Sequence, residues 1–321
     1  MQIHADTVRV GIHSGQQYRT FEEALGLWQR AERLGFDWVS LFDHFRPPLG
    51  GPAGPCLDGL SLLSALAART TRIRCAVLVS AVTWRHPALA AAAAATVDHV
   101  SGGRLEFGIG AAGPDLAYEQ YGIPFPSAGT RLDMLDEACH VLRGLWSAPS
   151  TSFEGKHFRL TDAHLEPKPV QRHLPLVIGG EGERRMLRIV AEHADIWNTL
   201  AGTPDHYQRK LTSLRRHCAE VGRDPDDIRK SVTFRAVLGS SPQEAEQRAR
   251  ELRHRIGADS PVWSEYVVIG TPEQCVERLR PYLDLGVRDF LLGARPPVDW
   301  HTCELFARHV APALRAYAPA G

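Results

Sequence analysis

A chain of 321 residues with 44% apolar and 23% charged side chains can bury a large core, as one α/β barrel-sized domain or as two ordinary ones. Its 37 basic and 37 acidic residues cancel, and no block of like charge stands out. Nucleic acid and anionic membrane are therefore poor partners, and a small-molecule substrate is the better expectation.

Strand-like and helix-like segments alternate from end to end, the pattern of βα units on a parallel sheet. Residues 8–12 read as a first strand, and 21–34 as a helix with Phe21, Leu25, Trp28 and Ala31 on one face. A second strand at 38–42 is followed by a helix at 58–69. The third, 73–80, is apolar enough to be buried on both faces, and Pro87 suits the first turn of the alanine-rich helix after it. Residues 104–109 give a fourth strand, and the helix at 130–146 carries Leu132, Leu135, Cys139, Leu142 and Trp146 at helical spacing. Further strands at 176–178, 196–197, 232–237 and 290–292 bring the total to the eight of a (β/α)8 TIM barrel. Interruptions at 151–169, hairpin-like around Gly155, and at 258–268 read as loop insertions within a single domain spanning 1–321. A doubly wound sheet with a second domain would show a break in composition near the middle, and none is visible.

Cys56, Cys75, Cys139, Cys218, Cys275 and Cys303 are far apart, with no C-x-x-C pair and no Cys/His cluster at metal spacing. They read as reduced thiols of a cytoplasmic protein without a metal centre. Met1–Asp6 shows no basic region leading into an apolar stretch, so no signal peptide is expected. The run 88–95 falls short of the roughly 20 residues that span a bilayer and reads as a buried helix.

Four places carry chemistry. The second strand stops on Asp43, His44 and Phe45, and in a parallel barrel the strand's carboxyl end faces the ligand. An imidazole there can move a proton near neutral pH. Gly108-Ile109-Gly110-Ala111-Ala112-Gly113 spells the dinucleotide fingerprint. It follows the fourth strand rather than the first, Pro114 interrupts the approach to a helix, and Asp133 and Asp136 fall inside the 130–146 helix, so a Rossmann site is disfavoured. Gly179-Gly180-Glu181-Gly182, between a strand and a helix at 184–192, suits an anion held by backbone N–H groups. Glu181 works against that, Arg184 and Arg185 could offset it, and Asn198 and Thr199 end the next strand. His13, Phe45, Trp84, His86 and Tyr118 could line a substrate pocket, or could equally pack around the barrel mouth.

FDHF at 42–45, TWRHPA at 83–88, DHVSGGRLEFGIGAA at 98–112, YGIPFP at 121–126, FEGKHFRL at 153–160, PLVIGGEGERRMLRIVAEHADIWN at 175–198 and CAEVGRDP at 218–225 together resemble the luciferase-like monooxygenase superfamily. More narrowly they resemble its branch that uses the deazaflavin coenzyme F-420. The likeness implies a bacterial luciferase-like barrel, commonly a homodimer, with a flavin-type cofactor at the strand carboxyl ends. It implies Asp43 near the cofactor ring and His44 facing the reacting carbon. It also implies a non-prolyl cis peptide at Val77–Leu78, whose bulge with Val79 backs the ring, and backbone at Gly110, Ala111 and Ala112 passing beside the cofactor. The phosphate is implied near Gly179 and Gly180. Relatives often carry an aromatic at the position of Gly113 and a polar or acidic run around Pro114, Leu116 and Ala117; this departure argues against an acidic catalytic partner from that loop. The function so implied is hydride transfer between C5 of F-420 and a small organic substrate, with His44 handling the proton. An FMN-dependent monooxygenase is the nearest rival, and a flavin-binding protein without turnover is another.

Overall fold

The computed structural model describes residues 7–48, 54–256 and 267–317. In chain order the strands are β1 (Arg9–His13), β2 (Trp38–Leu41), β3 (Arg74–Ala81), β4 (Leu105–Gly110), β5 (Thr151–Glu154), β6 (Arg159–Ala163), β7 (Leu176–Gly179), β8 (Ile196–Leu200), β9 (Arg229–Leu238), β10 (Val267–Gly270) and β11 (Val287–Gly293). Eight of them, β1-β2-β3-β4-β7-β8-β9-β11, pair in parallel, and β11 returns to β1 to close the barrel. Strands β5 and β6 form the antiparallel hairpin expected around Gly155.

The helices are α1 (Phe21–Arg33), α2 (Gly59–Ala68), α3 (Pro87–Ser101), α4 (Ala117–Gln120), α5 (Ala128–Ser147), α6 (Met186–His193), α7 (Pro204–Val221), α8 (Pro242–Ile256), α9 (Pro272–Asp284), α10 (Trp300–Leu305) and α11 (Ala311–Arg315). Their starts are written locally. Thr20 and Glu23 form a capping box on α1, as Thr271 and Gln274 do on α9, each satisfying two amide groups the first turn leaves unpaired. Pro87 opens α3 as expected, left-handed Gly102 ends it, and Ala90, Ala91, Ala94 and Ala95 are buried. Among the described residues no helix is long and apolar enough to cross a membrane.

One strand was not expected. Val267–Gly270 pairs in parallel with Arg235–Leu238 beside the barrel, at the end of the predicted interruption 258–268. Three apolar residues without alternation, followed at once by Gly270-Thr271-Pro272, look like a turn in sequence. The rest of that interruption, and Met1–Asp6, lie outside the described residues.

Most of the core lies between strands and helices, while a smaller cluster of Trp38, Ala76, Leu78, Val177, Ile196 and Leu291 fills the barrel interior. Trp38 fits because Gly11 has no Cβ to collide with its indole. Below that layer the barrel is ionic rather than apolar. Arg9 bridges Glu106 at 2.5 Å and Asp289 at 2.5 Å; Arg74 Nε donates to Glu106 at 2.6 Å and Arg229 Nε to Asp289 at 2.7 Å. Burial alone would raise both carboxyls, but Arg9 with Arg74, and Arg9 with Arg229, hold Glu106 and Asp289 below the usual carboxylate range. This network sits at the amino ends of the strands and leaves the opposite end free for chemistry.

Candidate active site

At the carboxyl ends the third strand bulges. Val77 still pairs with Phe107, but the register slips before Ser80 meets Ile109. The cis peptide is Leu78–Val79, one residue beyond the Val77–Leu78 bond that the family spacing implies, because regular pairing continues through Val77. The glycines of the fingerprint-like motif explain how the bulge fits. A Cβ on Gly108 would run into the Val77 carbonyl, one on Gly110 would lie 2.7 Å from Val79 Cγ2, and one on Gly179 2.8 Å from Val79 Cγ1. These glycines give Val79 room at the mouth; they do not make a dinucleotide turn. Just beyond, Ala112 adopts a positive φ of 66° as the chain leaves β4.

His44 follows β2 on the strand next door. Its Nδ1 lies 2.8 Å from Asp115 Oδ2, and its ring meets Phe42 edge-on at 5.1 Å. Asp115 is itself fixed, its Oδ1 accepting from the Ala117 amide at 2.8 Å as α4 begins. The loop from which the sequence reading expected no acidic partner thus supplies one. Pro114, Leu116 and Ala117 flank this acid, and nothing in the spacing from 44 to 115 announces the contact. A carboxylate on Nδ1 keeps the proton there and leaves Nε2 as the exchanging nitrogen.

Asp43 is 1% exposed. Its Oδ2 accepts from Ser80 Oγ at 2.6 Å and from Arg85, which also reaches Asp58 at 2.6 Å, while Trp84 Nε1 donates to the Asp43 carbonyl at 3.0 Å. Asp43 Oδ1 is buried without a partner. The side chain therefore locks the ends of β2 and β3 together. Cys56 Sγ donates to the His44 carbonyl at 3.4 Å, but burial, then Asp115, Asp43 and Asp58, push its thiol up to about 12. That leaves little of it as thiolate at neutral pH.

Phe45, Trp84 and Tyr118 come together as an aromatic wall. Trp84 stacks on Tyr118 at 4.1 Å, Phe45 meets Trp84 edge-on at 4.8 Å, and Tyr121 and Phe125 extend the wall outward. Tyr118 is pinned by Thr83 at 2.5 Å. His86 stands apart from this wall, capping α3 through the Ala88 amide and meeting Phe158. His13 enters the mouth from β1, its Nδ1 2.9 Å from Ser40 Oγ. Burial, then Arg295, Arg235 and His44, lower its pKa to about 3, so the ring is neutral.

The Gly179-Gly180-Glu181-Gly182 loop leaves β7 with Gly180 at φ 142°, and its helix begins at Met186 rather than at 184. Glu181 Oε2 is engaged by His206 Nε2 at 3.1 Å and Thr199 Oγ1 at 3.3 Å. Arg185 does not offset it: that guanidinium binds Asp133 and the Gly129 carbonyl. Asn198 gives its amide to Ser231 Oγ at 3.0 Å and Thr233 Oγ1 at 3.3 Å, inside the barrel rather than toward the loop. In the helical ring, Asp136 and His140, four residues apart on α5, and His193 from α6 bring three ligand-type atoms within 4.8 Å of one another. His193 Nε2 already pairs with Asp136 at 2.8 Å.

The model of the luciferase-like monooxygenase family matches residues 3–289. An F420-dependent glucose-6-phosphate dehydrogenase of Nakamurella multipartita is 27% identical over 96% of this chain and 97% of its own. The pyrimidine monooxygenase RutA of Stutzerimonas stutzeri is 30% identical over 78% of this chain and 69% of its own. Among solved structures, an F420-dependent secondary alcohol dehydrogenase in complex with an F420-acetone adduct superposes with a TM-score of 0.80 at 21% identity, covering 96% of this chain and 99% of that one. The family match over most of the chain, on an eight-stranded parallel barrel, makes this protein a member of the luciferase-like monooxygenase family.

Proposed function

We propose that this chain is an F-420-dependent oxidoreductase that moves a hydride between C5 of the deazaflavin and a small organic substrate. The observation that carries the reading is the His44–Asp115 contact, a proton-handling pair on the strand beside the Val79 bulge. It is supported by the F420-dependent dehydrogenase of Nakamurella multipartita named above, whose chain matches nearly end to end.

The residues present fit such a group. Gly110 and Gly179 keep the mouth open around Val79, and Asp43 Oδ1 retains an acceptor. Glu181, the obstacle to an anion at the Gly179–Gly182 loop, is occupied by His206. When bound, F-420 supplies a two-electron hydride centre that reacts poorly with oxygen. Gly179, Gly180 and Gly182 would hold its phosphate, and Val79 with Gly110, Ala111 and Ala112 its ring. The companion proton travels through Nε2 of His44 while Asp115 keeps Nδ1–H in place. Trp84, Phe45 and Tyr118 exclude water from that proton. A homodimer and a cytoplasmic setting belong to the same proposal, the latter in keeping with six free thiols, five of them buried.

FMN monooxygenation is the second reading, favoured by the 30% identity to the pyrimidine monooxygenase. Titrating the apoprotein with F-420 and with FMN, followed by turnover under strict anaerobiosis, separates the two. Tighter deazaflavin binding with anaerobic turnover is expected. An oxygen atom from O₂ in the product, with no activity in its absence, would reject hydride transfer.

A further inference from the structure

Among the described residues, two arginines at the barrel mouth have no carboxylate to answer them. Arg235 lies in β9 beneath Gly293, where an added Cβ would sit 3.3 Å from Arg235 Cγ. Gly293 is paired in register with His13 across β11 and β1, so Arg235, Gly293 and His13 share one level at the strand ends. Arg295 follows two residues on, and its loop is tied to the same place. The Ala294 amide donates to the His13 carbonyl at 2.9 Å, and Arg19 donates to the Ala294 carbonyl at 3.1 Å.

Arg19 shows what a structural arginine looks like here. Its guanidinium also donates to the Ser14 and Gly15 carbonyls at 3.1 and 2.9 Å. Arg235 and Arg295, by contrast, form no ion pair and donate no hydrogen bond among the described residues, and Arg295 Nη1 is buried without a partner. Each is felt as a positive charge by His13, and Arg295 by Arg235. Burial, then Arg295, lowers Arg235 to about 10, which leaves it charged at neutral pH. Two adjacent, partly buried cations without a counter-ion are unfavourable on their own. A guanidinium fork matches the two oxygens of a carboxylate or phosphoryl group.

We propose that Arg235 and Arg295, with His13 beside them, form an anion-binding subsite that receives the carboxylate or phosphoryl group of the substrate. As a statement about substrate the subsite rests on the functional reading above; as an anion site it stands on the arginines alone. An anionic substrate anchored there shares the mouth with the His44–Asp115 pair, the Phe42 ring standing beside both His13 and His44, so the enzyme selects substrates carrying a negative group apart from the reacting carbon.

The probe is inorganic phosphate, added to the cofactor-free protein at low ionic strength and followed by calorimetry and by the His13 ring resonance, assigned by its loss in His13→Gln. Phosphate should bind and shift that resonance in the native protein. Arg295→Gln and Arg235→Gln should each weaken binding by about 10-fold or more, as loss of a charge-assisted contact does, with Arg295→Lys restoring part of it. No phosphate binding by the native protein, or binding that neither variant alters, overturns the subsite. F-420 affinity measured on the same variants identifies the source of the anion. It should change little, and a parallel loss would assign the arginines to the cofactor's carboxylate tail and overturn the substrate role. A chain that binds phosphate but no deazaflavin would refute the functional reading while leaving the anion site standing.

Discussion

His44 Nδ1 and Asp115 Oδ2, 71 residues apart and separated by 2.8 Å, join the end of β2 to the loop after β4. The carboxylate fixes which imidazole nitrogen is available, so the two residues should fail together. His44→Ala is expected to lower the maximal rate by roughly 100-fold or more while cofactor affinity stays nearly intact. Asp115→Asn keeps the shape but can hold the other tautomer, and should lose at least about 10-fold in rate, with little added loss in the double variant. Transient kinetics on the deazaflavin absorbance measures both. Unchanged turnover in His44→Ala would remove the proton-transfer role.

Val79 and Gly179 make a second test. Gly179→Ala places a methyl 2.8 Å from Val79 Cγ1, so either the bulge or β7 must shift. Holoprotein formation should weaken, and Val79→Ala in the same chain should restore it by vacating the space. Failure of the second change to rescue the first would mean the glycine serves the loop instead. Gly180→Val is the poorer probe, because a Cβ there meets Met186 Cε at 2.9 Å and damages packing directly.

The barrel was legible because its signals are local: apolar runs for β1 to β4, helical periodicity in α1 and α5, Pro87 at the start of α3. The place of His44 at a strand end was legible for the same reason. What sequence could not give is pairing across the mouth. Asp115 became a partner only through the path of the loop, Arg185 turned to Asp133 rather than to Glu181, and Asn198 turned to Ser231. The GIG motif leaves space for Val79, a contact between strands that leaves no mark within either. Strand β10 was missed because a short apolar run ending in Gly-Thr-Pro has no periodicity to read.

The ionic layer inside the barrel predicts a stability effect without a catalytic one. Glu106 and Asp289 are fully buried, and each is held by two arginines. Glu106→Gln leaves Arg74 without a counter-charge and Arg9 with Asp289 alone, among nearly buried side chains. Breaking a buried pair in this way costs about 3–5 kcal/mol. Urea unfolding followed by circular dichroism should show a loss of that order, with cofactor affinity retained wherever the protein is folded. A change below about 1 kcal/mol would mean that water or a neighbour relieves the charge.

His13 predicts how stability responds to acid. Its ordinary value of 6.5 applies in the unfolded chain, whereas burial, with Arg295, Arg235 and His44, lowers it to about 3 in the fold. Between those values the unfolded state binds a proton that the folded state refuses, so stability rises with pH across the window and is lost as the pH falls below 6.5. Glu106 and Asp289 also lose their contribution in acid, but only as the pH drops through the carboxylate range near about 4. The interval from about 5 to 6.5 therefore separates His13 from those two carboxyls, and the His13→Gln comparison picks out its share. Urea midpoints taken across it should fall with decreasing pH in the native chain, and His13→Gln should flatten that slope by close to one proton. An identical slope in the two proteins would show that His13 is protonated in the folded state and that the neighbouring arginines do not hold it neutral.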